Sequence, residues 1–237
     1  MRLNKYLAKS GVASRRKSDE LIQMATTEVN GKICLNPGYD VKEYDTIRFD
    51  GKKISIESKI IVLMLNKPKK VISTVIDTHQ RQTVMDFLPK KTRVTPIGRL
   101  DQNTTGLLLF TNDGNLQEYL THPRNQVPKD YEAVIHGKLQ LSQIKKIKKG
   151  LYIGDKEFGK AEVVKQTTEK NRSKVIIRLR QGKKREIRRI FHRLNVTLIN
   201  LKRISFAKLK LGALPEGAYR ILKNSEIVLL RSYEGKL

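Results

Sequence analysis

The sequence has few of the residues that build disulfides, metal centres and membrane spans. Cys34 is the only cysteine among 237 residues, so an internal disulfide is impossible. The four histidines lie too far apart in the chain for metal-ligand spacing; they are His79, His122, His136 and His192. The longest apolar run, residues 60–65, is too short to cross a bilayer. We therefore expect neither a metal, nor a cofactor, nor a membrane association.

The amino terminus also lacks the apolar core of a signal peptide. Its first 17 residues instead hold six cations and no acid: Arg2, Lys5, Lys9, Arg15, Arg16 and Lys17. The sequence therefore predicts a cytoplasmic protein.

Acidic residues are scarce relative to basic ones. The chain has 49 Lys and Arg against 23 Asp and Glu, a formal net charge of +26. Such an excess favours a nucleic-acid partner, because neutralising phosphates releases counterions, whereas the plainer alternative is a basic protein without a specific partner. The charge is uneven, with +3 over residues 1–58 and +23 over residues 59–237.

The first 58 residues have the pattern of a small module with two short helices and two hairpins. Leu3 and Leu7 recur at helical spacing before Gly11, and Ser14 is a suitable N-cap for a second helix ending near Ala25. Asn-Gly at 30–31 and Asp-Gly at 50–51 predict two tight β-turns.

This module resembles the S4 RNA-binding domain. The matching segments are residues 2–7, 11–17, 29–32 and 45–51. The resemblance implies an RNA-docking domain over residues 1–58 that uses Arg2, Lys5, Arg15, Arg16 and Lys17. One departure is the sequence Ala-Thr-Thr-Glu at 25–28, where the family usually has a Gly-Arg pair.

Beyond Ser58 the sequence predicts more strands than helices. The predicted strands are 60–65, 92–97, 106–111, 131–135, 160–166 and 174–179, and the predicted helices are 115–121, 142–149 and 185–194. Because no regular strand–helix alternation occurs, we predict an α+β domain around a mixed, largely antiparallel sheet. The lysine-rich run 145–149 has two interpretations, a solvated helix face or an RNA contact.

The segment Gly98–Gly106 is the strongest candidate for a site. It places Asp101 beside Arg99 in a polar loop, just before the apolar run 107–110, which is typical of a strand buried on both faces. Asn and Thr side chains at 103–105 can stiffen the loop through local hydrogen bonds. From these residues alone, Asp101 is either a nucleophile or a structural cap.

The same segment resembles the catalytic-aspartate motif of the Rsu-type pseudouridine synthases. Further matches follow in family order at residues 65–68, 98–114, 122–124, 129–131 and 182–189. The resemblance implies a pseudouridine synthase domain over residues 61–237, behind the S4-like domain. Converting uridine to pseudouridine transfers neither electrons nor a group from another molecule, so the implied enzyme has no cofactor.

The resemblance also implies roles for individual residues. Asp101 is the nucleophile, Arg188 pairs with it, and Tyr131 stacks on the base or transfers a proton. Arg99 enters the space that an extruded base leaves. The other basic residues of the last motif, predicted to contact RNA backbone, are Lys183, Lys184, Arg185 and Arg189. Tyr131 has a plainer interpretation as a half-buried strand aromatic.

The implied substrate is ribosomal RNA, free or in a pre-ribosomal particle, and the protein is expected to be a monomer. We favour a uridine of the large-subunit (23S) RNA. The alternatives are a uridine of the small-subunit (16S) RNA, another RNA class such as transfer RNA, or a non-catalytic RNA-binding protein of ribosome assembly.

Overall fold

The computed structural model describes residues 1–56, 59–90 and 93–232. Its chain divides into two compact units, one formed by Met1–Ile60 with Asn112–Gly114 and the other by Ile61–Thr111 with Asn115–Leu237. The predicted domain limits Ser58 and Leu237 lie outside the described residues. No helix in the described ranges is long and apolar enough to cross a membrane.

The first unit contains two helices and a small antiparallel sheet. The helices are α1 (Leu3–Lys9) and α2 (Arg15–Gln23), and the strands are β1 (Thr27–Val29), β2 (Lys32–Ile33), β3 (Ile47–Phe49) and β4 (Lys52–Lys53), ordered β2-β1-β3-β4. The Ser14 hydroxyl accepts a hydrogen bond from the Lys17 amide and caps α2, as predicted. Both residues of each predicted turn have positive φ, which matches the Asn-Gly and Asp-Gly signals.

The second unit is built around a nine-stranded sheet. Its strands are β5 (Val62–Lys67), β6 (Thr95–Ile97), β7 (Thr105–Thr111), β8 (Lys129–His136), β11 (Glu162–Glu169), β12 (Arg172–Leu179), β13 (Leu198–Phe206), β14 (Leu209–Lys210) and β15 (Tyr219–Ile221). The main order is β11-β12-β8-β13-β7-β5-β15, with β14 beside β13 and β6 beside β7. Among these described strands, the β13–β7 pair is parallel and the others are antiparallel, so the predicted α+β class with a mixed, largely antiparallel sheet is confirmed.

The remaining elements surround this sheet. They are α3 (Gly114–Thr121), α4 (Leu141–Lys149), α5 (Glu186–Arg193), α6 (Asn224–Arg231), the hairpin β9 (Leu151–Gly154) and β10 (Glu157–Gly159), and 3₁₀ turns at Val84–Phe87 and Pro123–Asn125. Helix α4 begins one residue before the predicted start, and its N-cap is Gln140. The predicted strand 92–97 is observed from Thr95, and Thr92 lies outside the described residues.

The sequence prediction omitted β13, although it lies at the centre of the sheet. Its burial alternates only partly, and Lys202 and Arg203 interrupt the apolar pattern that predicts a strand. Gly106 of β7 makes the approach of β13 possible, since a Cβ there would lie 2.2 Å from the Arg203 carbonyl oxygen. Leu107–Phe110 alternate between two apolar clusters, one against each face of the sheet, as expected for a strand buried on both sides.

Candidate active site

Asp101 lies in the loop that connects β6 to β7, and backbone contacts hold this loop. The Ser73 hydroxyl donates to the Leu100 carbonyl at 2.8 Å and accepts from the Leu100 amide at 3.1 Å. The Lys70 amide donates to the Gln102 carbonyl at 2.9 Å, and the Thr104 amide donates to the Asp101 carbonyl at 3.0 Å. The Asp101 carboxylate thus projects from a turn that hydrogen bonds hold at the residues before and after it.

Lys67, the last residue of β5, supports the same loop from inside the protein. Its side chain is fully buried, and Nζ donates to the carbonyls of Pro68 at 2.8 Å, Thr104 at 3.0 Å and Gln102 at 3.2 Å. Burial lowers its pKa from 10.5 to about 8, although the nearby Asp101 carboxylate opposes this shift. In the sequence, this lysine follows an apolar run and lies within the matching segment 65–68, but neither feature predicts its buried contacts with the loop.

Arg188 of α5 forms an ion pair with Asp101. Its Nε lies 3.5 Å from Asp101 Oδ2, and its Nη2 donates to the Asn103 carbonyl at 3.0 Å and the Thr104 hydroxyl at 3.1 Å. Burial lowers the pKa of Arg188 from its usual range, and the Asp101 charge partly restores it. One guanidinium therefore faces the carboxylate and also ties down the loop that carries it.

Tyr131 lies on β8 beside this ion pair, and its side chain is 8% exposed. Arg203, directly opposite in β13, is 2% exposed and lies 6.0 Å from the Tyr131 ring and 5.2 Å from the Phe206 ring. Its Nε donates to the Leu107 carbonyl at 2.6 Å. The tyrosine ring thus has a buried cation behind it, which no sequence pattern had indicated.

Lys129, which is half-buried, adds a second cation near Tyr131 in the cleft lining. Its Nζ donates to the Val127 carbonyl at 2.9 Å and lies 5.3 Å from the Phe206 ring. Burial lowers its pKa from 10.5 to about 8, and the Arg203 charge lowers it further.

The three predicted catalytic residues line one cleft of about 150 Å³. Arg99, Lys183 and Arg185, three of the predicted RNA contacts, lie on its wall with Lys129, Arg188 and Arg203. The cations that line this cleft attract a polyanion to the carboxylate that they surround. This arrangement suits a nucleophilic carboxylate acting on a nucleic acid.

Glu186, at the start of α5, positions the loop that carries Lys183 and Arg185. It is 2% exposed, and its carboxylate accepts from the amides of Gly182 at 3.1 Å, Lys183 at 2.9 Å and Lys160 at 3.2 Å. A carboxylate at a helix amino terminus is also favoured by the helix dipole. Within the basic motif 182–189, the single acid thus orders the backbone of its neighbours.

Arg189 has a structural role in this geometry. Its guanidinium donates to the carbonyls of Ile153 at 2.9 Å and Gly154 at 2.7 Å, and pairs with Glu157 at 2.6 Å and Asp155 at 3.2 Å. These contacts attach the β9–β10 hairpin to α5 and favour support over the RNA contact predicted from the sequence. Lys184 is exposed, and its RNA contact remains a prediction.

Asp130, the acid beside Tyr131, points away from the cleft. Successive strand residues face opposite sides, and its carboxylate forms a two-pronged pair with Arg178 of β12, at 2.7 and 2.9 Å. Burial acts to raise its pKa, but the Arg178 contacts outweigh this and lower it. Asp130 therefore does not add an acid to the cleft.

The predicted RNA contacts of the first unit lie on its two helices or directly before the first of them. Arg15, Arg16 and Lys17 are exposed and form the first turn of α2, where positive charge opposes the helix dipole. Arg2 is exposed just before α1, and Lys5 is half-buried within it. Three cations at the amino terminus of α2 reduce the stability of this helix. Binding of an anionic partner would offset that cost, and this explains their position.

In the described part of the chain, no group of three or more His, Cys, Asp and Glu side chains is arranged to hold a metal ion.

Comparison with known proteins relates both units to known families. The model of the RNA pseudouridylate synthase family matches residues 61–193, and that of the S4 domain matches residues 1–47. The chain is 37% identical to ribosomal large subunit pseudouridine synthase B of Bacillus subtilis, over 98% of this chain and 96% of the relative. It is 34% identical to an RNA pseudouridine synthase of Aquifex aeolicus, over 97% and 93% of the two chains.

A solved structure agrees with these sequence matches. The crystal structure of a pseudouridylate synthase superposes with a TM-score of 0.69 and 25% identity, covering 97% of this chain and 99% of that one. The family prediction made from the loop around Asp101 and the linked motifs is confirmed. The chain belongs to the RNA pseudouridylate synthase family and carries an S4 domain ahead of the synthase domain.

Proposed function

We propose that this enzyme converts a uridine of large-subunit ribosomal RNA to pseudouridine. The observation that carries the proposal is the Asp101 carboxylate, held 3.5 Å from Arg188 in a cationic cleft beside Tyr131. The Bacillus subtilis relative, similar over nearly its whole length, is named as a large-subunit enzyme, and this supports the choice of substrate.

In the proposed mechanism, Asp101 forms a transient bond to the substrate as the bond between base and sugar breaks. That transient bond breaks again when carbon 5 joins the sugar, which regenerates the carboxylate. Arg188 holds the carboxylate in place, through the ion pair and through its hydrogen bonds to the loop. The base turns and rejoins the sugar through carbon 5. Tyr131 then stacks on the ring, and its hydroxyl takes part in removing the proton from that carbon.

The target base must leave its stack before it reaches Asp101, at a cost of a few kcal/mol. Arg99 is exposed at the rim of the cleft and has the reach and charge to fill the space that the base leaves. In the same proposal, residues 1–58 act as the docking domain, through the cations of α1 and α2, and residues 61–237 act as the catalytic domain.

The first prediction concerns the substrate. Transcripts of large- and small-subunit RNA labelled with tritium at carbon 5 of uridine are incubated with the protein, because forming the new carbon bond releases that tritium. We expect release from the large-subunit transcript and none from the small-subunit one. Release from the small-subunit transcript alone would assign the other target, and binding of both without release would favour an assembly protein without catalysis.

The second prediction concerns Lys67, which we infer to be a positioning residue. Lys67→Met has a similar length but removes the three hydrogen bonds that support the Asp101 loop. We expect kcat for tritium release to fall about 10- to 100-fold, the scale of a misplaced reacting group. KM should change less than about threefold, because Lys67 is fully buried and does not contact RNA.

Measuring the free energy of unfolding over a pH series separates this role from a general loss of stability. Folded Lys67 loses its proton near pH 8, whereas the unfolded side chain keeps it to about 10.5. Between pH 8 and pH 10.5 the unfolded state therefore binds more protons than the folded state does. As the pH increases through this range, the free energy of unfolding of the wild type should rise relative to that of Lys67→Met. Lys69→Met, which changes an exposed neighbour, is the control. A rise in KM with unchanged kcat in Lys67→Met would contradict the positioning role.

A further inference from the structure

A second concave surface lies next to the active-site cleft, and its walls are basic. It has a volume of about 310 Å³, roughly twice that of the cleft, and we call it the basic groove. Its lining residues are Gln126, Lys148, Lys160, Ala161, Glu162, Arg178, Arg180 and Gln181. Four of these eight are cations and one is an acid.

The groove and the cleft share the end of strand β12. Leu179 faces the cleft, whereas Arg178 and Arg180, on either side of it, face the groove, as strand alternation requires. Gln181, the next residue, lines both surfaces. A chain that leaves the cleft across Gln181 therefore enters the groove directly.

The opposite wall of the groove is held by buried contacts. The Lys160 amide donates to Glu186, the same carboxylate that orders the cleft loop. The next amide, that of Ala161, donates to the Ile147 carbonyl of α4 at 3.2 Å, which places Lys148 beside Lys160. Lys148 is thus the residue of the lysine-rich run 145–149 that lines the groove.

The charge of the groove favours an anionic occupant. Arg178 is paired with Asp130, but Lys148, Lys160 and Arg180 are exposed and share the groove with one lining acid, Glu162. Like charges gathered in a concave surface repel one another, and this cost is offset when phosphates lie among them.

We propose that the basic groove binds the sugar-phosphate backbone of the substrate RNA next to the target nucleotide. This rests on the proposed function, since it takes the target base to lie in the cleft. Lys148, Lys160 and Arg180 neutralise phosphates, and Gln126 and Gln181 are placed to donate hydrogen bonds to the same chain. The contacts carry no base recognition, because charge on the backbone is independent of sequence.

The test removes two groove cations and measures the salt dependence of RNA binding. Lys160→Gln with Arg180→Gln changes exposed side chains, so both variants should fold. The binding constant for a large-subunit RNA transcript is measured over a series of KCl concentrations. Each lost phosphate contact lowers the slope of log K against log salt by about 0.7 to 0.9, so the pair should lower it by about 1.5.

Turnover provides a second readout. KM for tritium release should rise roughly fivefold to tenfold at moderate salt, with kcat unchanged, because the groove cations do not contact the reacting atoms. The control pair is Lys146→Gln with Lys170→Gln, which removes the same charge from exposed positions outside both surfaces. It should leave slope and KM unchanged.

An unchanged salt slope in the groove pair, or an equal fall in the control pair, overturns the proposal. An acidic protein partner in the groove would likewise leave RNA binding unchanged. The slope is measured without turnover, so it stands apart from the proposed reaction. Suppose that the wild type released no tritium but the groove pair still showed the lower slope of log K against log salt. The proposed target would then be wrong, whereas the assignment of RNA backbone to the groove would stand.

Discussion

Asp101→Asn is expected to abolish tritium release from ribosomal RNA, with kcat reduced at least about 10³-fold, as for loss of a catalytic nucleophile. The amide has nearly the shape of the carboxylate but no charge, so it does not act as a nucleophile. Folding should be retained, because the loop is held by backbone contacts through Ser73, Lys70 and Lys67 rather than by this side chain. Circular dichroism and thermal unfolding check this point.

RNA binding gives the sharper control on the same variant. Removing the carboxylate makes the cleft more positive, so the affinity for a large-subunit transcript should stay equal or increase. Asp155→Asn is the matched variant, since it removes one carboxylate from the β9–β10 hairpin at a position that is 86% exposed. Turnover near the wild-type rate in Asp101→Asn would show that Asp101 is not the nucleophile, whatever the binding result.

Arg188→Met is expected to have the next largest effect, a fall in kcat of about 10²- to 10³-fold. The change removes the cation 3.5 Å from the carboxylate and two hydrogen bonds to the loop, at the Asn103 carbonyl and the Thr104 hydroxyl. Loss of the charge leaves the carboxylate without its facing cation, and loss of the bonds lets its loop move. The readout is kcat against pH with large-subunit RNA.

Arg188→Lys distinguishes the effect of the positive charge from that of the planar guanidinium group. A lysine keeps the charge but not the two-directional donation, so we expect intermediate activity at neutral pH. Burial lowers the pKa of the cation at this position, and a lysine is far more easily deprotonated than an arginine. The Lys variant should therefore lose activity at alkaline pH where the wild type retains it.

The control for both variants is Arg193→Met on the same helix. Arg193 lies 5.4 Å from the Tyr152 ring, away from Asp101, and its loss should leave kcat unchanged. If Arg193→Met lowered kcat as strongly as Arg188→Met, the effect would come from helix α5 as a whole and not from the ion pair.

Local sequence patterns determined much of what this protein is. Turn residues and caps located the hairpins and helices of the S4 domain, since Asn-Gly, Asp-Gly and Ser14 act within a few residues of themselves. The apolar run 107–110 predicted a strand with two buried faces, and the polar loop before it identified Asp101. Linked motifs in order then indicated the family, which the comparisons confirmed.

The tertiary structure decided what surrounds Asp101. Tyr131, Arg188 and Arg203 are far apart in the chain, and only the pairing of β7, β8 and β13 and the packing of α5 bring them to one cleft. The pairing of β5 with β7 places Lys67 against the loop that carries Asp101. Strand β13 was missed because its burial depends on neighbours rather than on its own pattern. In the same way, tertiary contacts gave Glu186 and Arg189 structural roles, and the position of Lys148 in the lining of the basic groove distinguished it from its neighbouring lysines. Periodicity and turn chemistry are encoded locally, whereas register, burial and charge proximity arise only when distant segments meet.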